Sequence, residues 1–413
     1  MRCGEATVIE SRDGRRVVVT GLGVIAPCGI DAGEFWAGLA RPVGPAIVRP
    51  VNGFDPLDYG LSKVDARRLD RFAQFGIAVA QQALTDAGLL TADGVDVNPD
   101  RAAVSIGTGI GGALSWESQA LVRQERGDRA VSPFTIPMVM PNAAAAAVSM
   151  RYDLRGPCET VVTACATGTH AIGNAARWIA AGRADVAVAG GAEASLTGTN
   201  VAGYTNMRAL SSTGVCRPFD VDRDGFCAAE GAAVLVLEEA SRAYARGARV
   251  YAELAGAAST ADAFHLTAPA PGGRGALSCM RLALEDAGVA PSAIIHVNAH
   301  GTSTQLNDAT EAAVITELFG SPGPSVTSIK GITGHAQGAA GAIEAVSLAL
   351  SYALGVVPPT MGTVTVDPAC PVDVVLRSPR PWQPGPALSN SFGFGGHNGT
   401  LVFLPPRAGS PAA

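Results

Sequence analysis

Charge is scarce in this sequence: Asp, Glu, Lys and Arg make up 16% of its residues, the net charge is −6, and no basic run is interleaved with aromatic residues. General nucleic-acid binding is therefore excluded. Long apolar runs are missing as well. The stretch around Ala345 to Val357 is too short for a bilayer, and MRCGEATVIESRDGRR contains no continuous apolar segment. We expect no membrane association and a cytoplasmic protein. There are no CxxC pairs either; eight scattered cysteines fit a reducing compartment, where most serve as small buried hydrophobes. Cys158, Cys165 and His170 match no standard zinc spacing, so no metal is expected.

What is present is apolar bulk. With 47% hydrophobic residues over 413 positions, the chain can bury a large core in one or two domains, which excludes disorder. Its 50 glycines are spread along the whole length, as tight turns and close backbone contacts require. Short β-branched runs alternate with Ala-rich helical stretches: RVVVTGLGVIA, RAAVSIGTG, ETVVTACA, DVAVAGGAEA and AAVLVLEEA. The pattern predicts a layered α/β fold. A second series begins near Tyr251 with YAELAGAAS, IIHVNAH, SVTSIKG, VDVVLR and GTLVFLP, its helices predicted in GGRGALSCMRLALEDAG, DATEAAVITELFG and GAAGAIEAVSLALSYAL. We expect two similar halves, residues 16–255 and 256–413, after an N-terminal tail of residues 1–15, although residue-level self-similarity is weak. The stretch from Leu114 to Met150 reads as an irregular insertion that caps a pocket or forms a subunit interface.

Four clusters carry chemistry. In ETVVTACATGTHAIGNAARWIAAG an apolar strand runs into a small-residue turn and a helix, placing Cys165 at the helix N-terminus. The free N–H groups there are expected to lower the thiol pKa and to stabilise an oxyanion. Alone, such a cysteine is more often a core residue, and His170, inside the helix, is more often a packing residue. The segment IIHVNAHGTSTQLNDATE ends a buried strand near His300, with His296 inside the strand and structural. SIKGITGHAQGAAGAIEA puts Lys330 and His335 in a glycine-rich turn before a helix, and NSFGFGGHNGT puts Phe392 and Phe394 in a glycine-rich loop before the last strand.

Taken in order, TACATGTHAIG, NAHGTST, the K-x-x-x-G-H pattern and NSFGFGGHN resemble the elongating β-ketoacyl-acyl-carrier-protein synthases of the thiolase superfamily, from about Val17 to Phe403. RPFDVDRDGF and VSPFTIPMVMPN are further landmarks of that family. The resemblance implies a thiolase-like fold of two similar halves in an αβαβα arrangement, a dimer, and a Cys-His-His site. Cys165 would carry an acyl group, and the backbone N–H groups of Cys165 and Phe394 would form the oxyanion hole. His300 and His335 would stabilise the enolate formed from a malonyl thioester. Lys330 and Glu311 would form a buried ion pair, with Asp308 nearby. Thr302 and Thr304 would bind a phosphopantetheine arm, Ile110 would line the acyl pocket, Phe392 would border it and Phe394 would gate it. Phe134 would reach the partner subunit's pocket. Arg67, Arg68, Arg129 and Arg208 would dock an acidic acyl carrier protein. No cofactor is implied beyond the phosphopantetheine that arrives on that carrier. Three positions depart from the family pattern: Gly331 stands where serine is common, Ala229 where glycine is usual, and His397 where threonine is more common.

The resemblance also leaves open a ketosynthase subunit of a type II polyketide synthase, paired with a chain-length-factor-like subunit instead of a copy of itself. A non-catalytic chain-length subunit would lack the nucleophile that Cys165 supplies. A biosynthetic thiolase would use a second cysteine in a glycine-rich motif, whereas Cys370 sits in DPACPVD; a priming synthase would have asparagine in place of His335.

Overall fold

The computed structural model describes residues 14–407, so most of the expected tail at residues 1–15 lies outside the described residues. Eleven strands form the main sheet. In chain order they are β1 (Val17–Ile25), β2 (Ala102–Gly107), β3 (Cys158–Glu159), β4 (Val186–Glu193), β5 (Gly231–Glu239), β6 (Ala252–Ala261), β7 (His296–Asn298), β8 (Ser325–Thr327), β9 (Asp373–Val374), β10 (Ala387–Gly393) and β11 (His397–Leu404). Six helices pack on them: α1 (Arg71–Asp86), α2 (Ala143–Tyr152), α3 (Thr167–Ala180), α4 (Arg274–Ala287), α5 (Gln305–Phe319) and α6 (Ala340–Leu354).

The strand order is β9-β8-β7-β10-β11-β6-β1-β5-β4-β2-β3, and the two ends of that list repeat one pattern. From β1 outward, β5 and β4 follow by antiparallel pairing, then β2 and β3 by parallel pairing. From β6 outward, β11 and β10 follow by antiparallel pairing, then β7 and β8 by parallel pairing. The two halves meet where Val17–Val19 of β1 pair antiparallel with Ala252–Leu254 of β6. The division expected at residue 255 falls inside β6, the first strand of the second series.

Every residue of β1 and β4 is buried, because helices cover both faces of the sheet. Helices α1 and α2 pack on the outer face of the first half and α4 on that of the second, while α3 and α6 lie between the halves and touch strands of both. This gives the five layers expected of a thiolase-like fold. The α6 sequence AGAIEAVSLALSYAL carries little polar relief on any side, and residues 340–352 are all buried, as a helix enclosed between the two halves of the sheet must be.

Two expectations change in detail. Of the ETVVTACA run only Glu159 is strand, as the second residue of β3; the remainder is an irregular approach to Cys165. The Leu114–Met150 stretch is mostly helical, not irregular: Ala113–Arg126, Thr135–Val139 and α2 occupy most of it. Its prolines sit at helix ends or in the first turn, where a missing N–H costs nothing.

Candidate active site

Cys165 lies in the short helical turn Ala164–Ala166 that leads into α3. Ala164 adopts a left-handed backbone, φ 50°, a conformation that costs a non-glycine residue about 1–3 kcal/mol and is held by its surroundings. The bend presents Cys165 to a cavity of about 410 Å³. Gly393 backs the same turn: a Cβ on it would stand 2.8 Å from the Thr163 carbonyl and 3.1 Å from the Cys165 nitrogen. His170 braces the approach, its Nδ1 2.8 Å from the Thr163 hydroxyl and its Nε2 3.0 Å from the Asn398 carbonyl. It is a packing and positioning histidine.

The turns after β7 and β8 bring two imidazoles to the sulfur. His335 Nε2 stands 3.0 Å from Cys165 Sγ, and the His300 and His335 rings meet edge to face at 5.4 Å. The sulfur and one ring nitrogen of each histidine all lie within 4.8 Å of one another. Phe392 and Phe226 complete the aromatic wall, edge-on to His300 at 5.8 Å and to His335 at 5.1 Å. Three such donors could ligate a soft cation, but Lys330 Nζ, 3.4 Å from His300 Nδ1, opposes a second positive charge there.

Lys330 fixes the electronic state of the site. Its ammonium donates to the His300 carbonyl at 2.7 Å and forms a buried ion pair with Glu344. A lysine ammonium can only donate, so His300 Nδ1 must be an acceptor and the ring proton must sit on Nε2. Burial and the Lys330 charge push both histidines well below the usual imidazole range, so both are neutral near pH 7. Burial also pushes the Cys165 thiol up to about 11, opposed by Lys330 and by the backbone N–H of Phe394. The direction is opposite to the depression expected at a helix N-terminus, because the apolar surroundings of the thiol penalise its charged form. Cys165 rests as a thiol against His335.

The expected Lys330–Glu311 pair is also corrected. Glu344, on α6, is the partner of Lys330; Glu311, on α5, accepts the backbone N–H groups of His300 and Gly301, each at 2.8 Å. It positions the His300 turn through its main chain, and burial pushes its carboxyl up to about 7. Asp308 does the same one turn earlier, accepting from Ser303 and Phe219. Nothing in the spacing separates Glu344 from Glu311, because each needs only to be brought beneath Lys330 by its own helix.

The remaining predicted residues divide into two groups. Ile110, Thr302, Thr304, Phe392, Phe394 and Arg208 line the cavity, as does Glu311, and the two threonine hydroxyls are 3.0 Å apart. Phe134, Arg67, Arg68 and Arg129 do not line it; all are exposed, and the Arg68 guanidinium lies 4.8 Å over the Phe134 ring. Tyr204 and Glu193, which the sequence reading did not single out, belong to the site's surroundings: Tyr204 lines the cavity, and the Glu193 carboxylate raises the Cys165 thiol. Of the departures, Gly331 has a local cause. A Cβ there would stand 1.8 Å from the Met361 carbonyl oxygen, and Arg49 holds the Gly331 and Ile332 carbonyls at 2.8 and 2.7 Å.

This geometry agrees with comparisons across known proteins. A family profile described as Beta-ketoacyl synthase, N-terminal domain matches residues 43–243, and Beta-ketoacyl synthase, C-terminal domain matches residues 251–363. The chain belongs to the β-ketoacyl synthases. It is 42% identical to the 3-oxoacyl-[acyl-carrier-protein] synthase 2 of Synechocystis sp. over 411 residues, covering 94% of this chain and 98% of the relative. Identity to the synthase of the same name from Staphylococcus aureus is 41% over 409 residues, with the same coverage. Among solved structures, the ishigamide ketosynthase/chain length factor superposes with a TM-score of 0.89 at 34% identity, covering 95% of this chain and 100% of that one. A β-ketoacyl synthase from Burkholderia phymatum superposes with a TM-score of 0.86 at 33% identity and the same coverage. This chain is an enzyme of the acyltransferase class, a β-ketoacyl synthase that catalyses a condensation. Among the described residues, no helix is long and apolar enough to cross a membrane.

Proposed function

We propose that Cys165 carries the acyl chain and that His300 and His335 generate the carbon nucleophile. The observation that carries this reading is the convergence of Sγ and the two histidine nitrogens within 4.8 Å in one cavity. In the first half-reaction Sγ attacks the thioester carbonyl, and the backbone N–H groups of Cys165 and Phe394 receive the oxyanion. The acyl–sulfur bond to the carrier breaks, and the thiol proton passes through the His335 contact to the departing sulfur.

Acylation removes the S–H from that contact. In its Nε2–H tautomer His335 then donates, together with His300 Nε2–H, to the carbonyl oxygen of a malonyl thioester. The bond to the carboxylate breaks, carbon dioxide leaves, and the electron pair becomes an enolate held by two neutral donors. Its carbon attacks the acyl carbonyl, a carbon–carbon bond forms, and Cys165 leaves as thiolate. Neutral imidazoles suit this step because they stabilise the oxyanion without protonating the carbanion. The Lys330–Glu344 pair and Glu311 position His300. Thr302 and Thr304 bind the phosphopantetheine arm that enters on the carrier, Ile110 and Phe392 border the acyl chain, and Phe394 gates it. The chemistry calls for no metal or organic cofactor.

The carrier docks where Arg208 reaches the cavity mouth, with Arg67, Arg68 and Arg129 as outlying contacts, and Phe134 serves the pocket of a second subunit. A homodimer in fatty-acid elongation is favoured by the identity to the two synthase 2 relatives. A ketosynthase subunit paired with a chain-length factor is the second reading, supported by the likeness to the ishigamide ketosynthase/chain length factor and to a ketosynthase in complex with a type II polyketide acyl-carrier protein, TM-score 0.87. We place the protein in the cytoplasm.

The test is to incubate the protein with acyl carrier protein charged with chains of several lengths and to weigh the Cys165 peptide. Acylation of that peptide, followed by a 3-oxo product when malonyl carrier protein is added, is expected. An unmodified Cys165 with every donor, with and without a candidate partner subunit, overturns the reading.

A further inference from the structure

Three pieces of backbone converge beside Cys165 with no room for side chains. They are the end of β4, the loop Thr108–Gly111 after β2, and the turn Gln337–Ala339 that leads into α6. A Cβ on Gly338 would stand 2.2 Å from the Gly109 nitrogen, and a Cβ on Gly191 would stand 2.5 Å from the Gly338 oxygen. At the centre lies the carboxylate of Glu193, the last residue of β4 and fully buried. Its Oε2 accepts the N–H groups of Gly109 at 2.6 Å and Gly338 at 3.2 Å, and its Oε1 is 3.5 Å from the Thr108 hydroxyl. Among the described residues it has no ion-pair partner; backbone amides and neutral hydroxyls hold the charge.

The two segments it clamps are parts of the reaction cavity. Gly109 and Ile110 form one stretch of the wall, and Gln337 forms another, two residues beyond His335. Gln337 is itself left-handed, φ 45°, so the turn carrying His335 is strained and needs an anchor. A carboxylate is the one side chain able to accept from several converging amides without offering a donor of its own.

We infer that Glu193 is a positioning residue for acyl-chain selection, holding the Gly109–Ile110 wall of the acyl pocket against the turn that carries His335. The inference rests on the condensing-enzyme reading of this cavity and names what sets its acyl specificity. Burial pushes the Glu193 carboxyl up to about 7, opposed by the Gly109 and Gly338 amides, the Ser195 hydroxyl and the Ile110 amide. The titratable groups that feel its charge are the Cys165 thiol and the Tyr204 phenol, both neutral near pH 7.

The experiment compares rates of Cys165 acylation by butyryl and myristoyl carrier protein in the wild type and in Glu193→Gln, alongside thermal melting. Glutamine keeps the shape and can still accept from Gly109 and Gly338 with its carbonyl oxygen in the Oε2 place, but it removes the charge and turns an NH2 toward the Thr108 hydroxyl, so the clamp on the two segments is weakened. The expected result is a change of roughly ten-fold in the myristoyl-to-butyryl ratio of kcat/KM, the effect of losing one charge-assisted hydrogen bond. Equal losses with both donors, tracking a loss of stability, would reduce Glu193 to a structural role and overturn the inference. Should that variant not fold, Glu193→Asp, which keeps the charge but draws it back from the Gly109 and Gly338 amides, is compared with the same two donors, and a shifted ratio is again expected. An unchanged ratio overturns the inference. Wild-type enzyme that neither donor acylates would instead defeat the proposed function itself, and the inference with it.

Discussion

Lys330 shows how much one residue can be asked to do. It is one of two lysines in a chain that otherwise uses arginine for positive charge, and its site is too small for a guanidinium: a compact ammonium must meet the His300 carbonyl, the His300 ring and Glu344 at once. Lys330→Ala leaves Glu344 buried and unpaired, which is expected to cost about 3–5 kcal/mol in denaturant unfolding. Replacing both partners, Lys330→Met with Glu344→Leu, should restore most of that stability but not condensation, since His300 loses the contact that sets its tautomer. A double variant as active as wild type would remove Lys330 from the proposed mechanism. At the nucleophile, Cys165→Ala is expected to abolish acylation. Cys165→Gln, which fills the space of an acylated cysteine with a polar group, should still release carbon dioxide from malonyl carrier protein with no 3-oxo product. Release of labelled carbon dioxide checks this directly.

At the level of elements, the site is built by a repeated device. Helices α3 and α6 occupy equivalent places in the two halves, each preceded by a three-residue helical turn whose first residue is left-handed: Ala164 before α3 and Gln337 before α6. Each helix carries glycine at its second position, and those glycines are where the two helices touch. A Cβ on Gly168 would stand 2.7 Å from the Ala342 nitrogen, and one on Gly341 2.2 Å from the Thr169 hydroxyl. Close approach here brings the nucleophile turn of one half against the His335 turn of the other. Gly341→Ala and Gly168→Ala should each destabilise by about 1–3 kcal/mol through overpacking. They should also slow acylation of Cys165 more than a comparably destabilising substitution on the outer helix α1, a comparison that stopped-flow acylation and melting curves together provide.

For the whole molecule, the buried ionisable groups predict how stability follows pH. Glu193, Glu311 and Glu344 are each pushed up to about 7 by burial. An acid whose folded pKa exceeds its unfolded value of about 4.5 destabilises the fold above pH 7, and that cost is relieved as pH falls toward 4.5. His296, pushed down to about 3, and the still lower-shifted His300 and His335 act in the opposite sense. Their neutral burial stabilises fully above pH 6.5 and is lost as the unfolded imidazoles take up protons below it. Between about pH 6.5 and 4.5 the two sets partly cancel; below 4.5 only the histidines remain, at about 1.4 kcal/mol per pH unit for each. The melting temperature is therefore expected to vary little from pH 7.5 to 5 and to fall steeply below 4.5. A steady decline beginning at pH 6.5 would mean that the carboxylates are already ionised at low cost in the fold.

The sequence by itself determined the layered α/β plan, because the alternation of β-branched and Ala-rich segments is a local pattern and its period survives in any environment. It also determined the chemistry-bearing turns around Cys165, His300, Lys330, His335 and Phe394, since each sits between a strand and a helix or strand whose own pattern is legible. Only the tertiary structure decided which acid meets Lys330: Glu311 and Glu344 lie on different buried helices, and the packing of α5 and α6 beneath the site, not any spacing along the chain, assigns one to the backbone of His300 and the other to the ammonium. The same holds for the thiol of Cys165, whose resting protonation is set by how completely the surrounding walls exclude water. It holds most fully for Glu193, an acid closing an otherwise apolar strand, whose role exists only where three distant backbones meet.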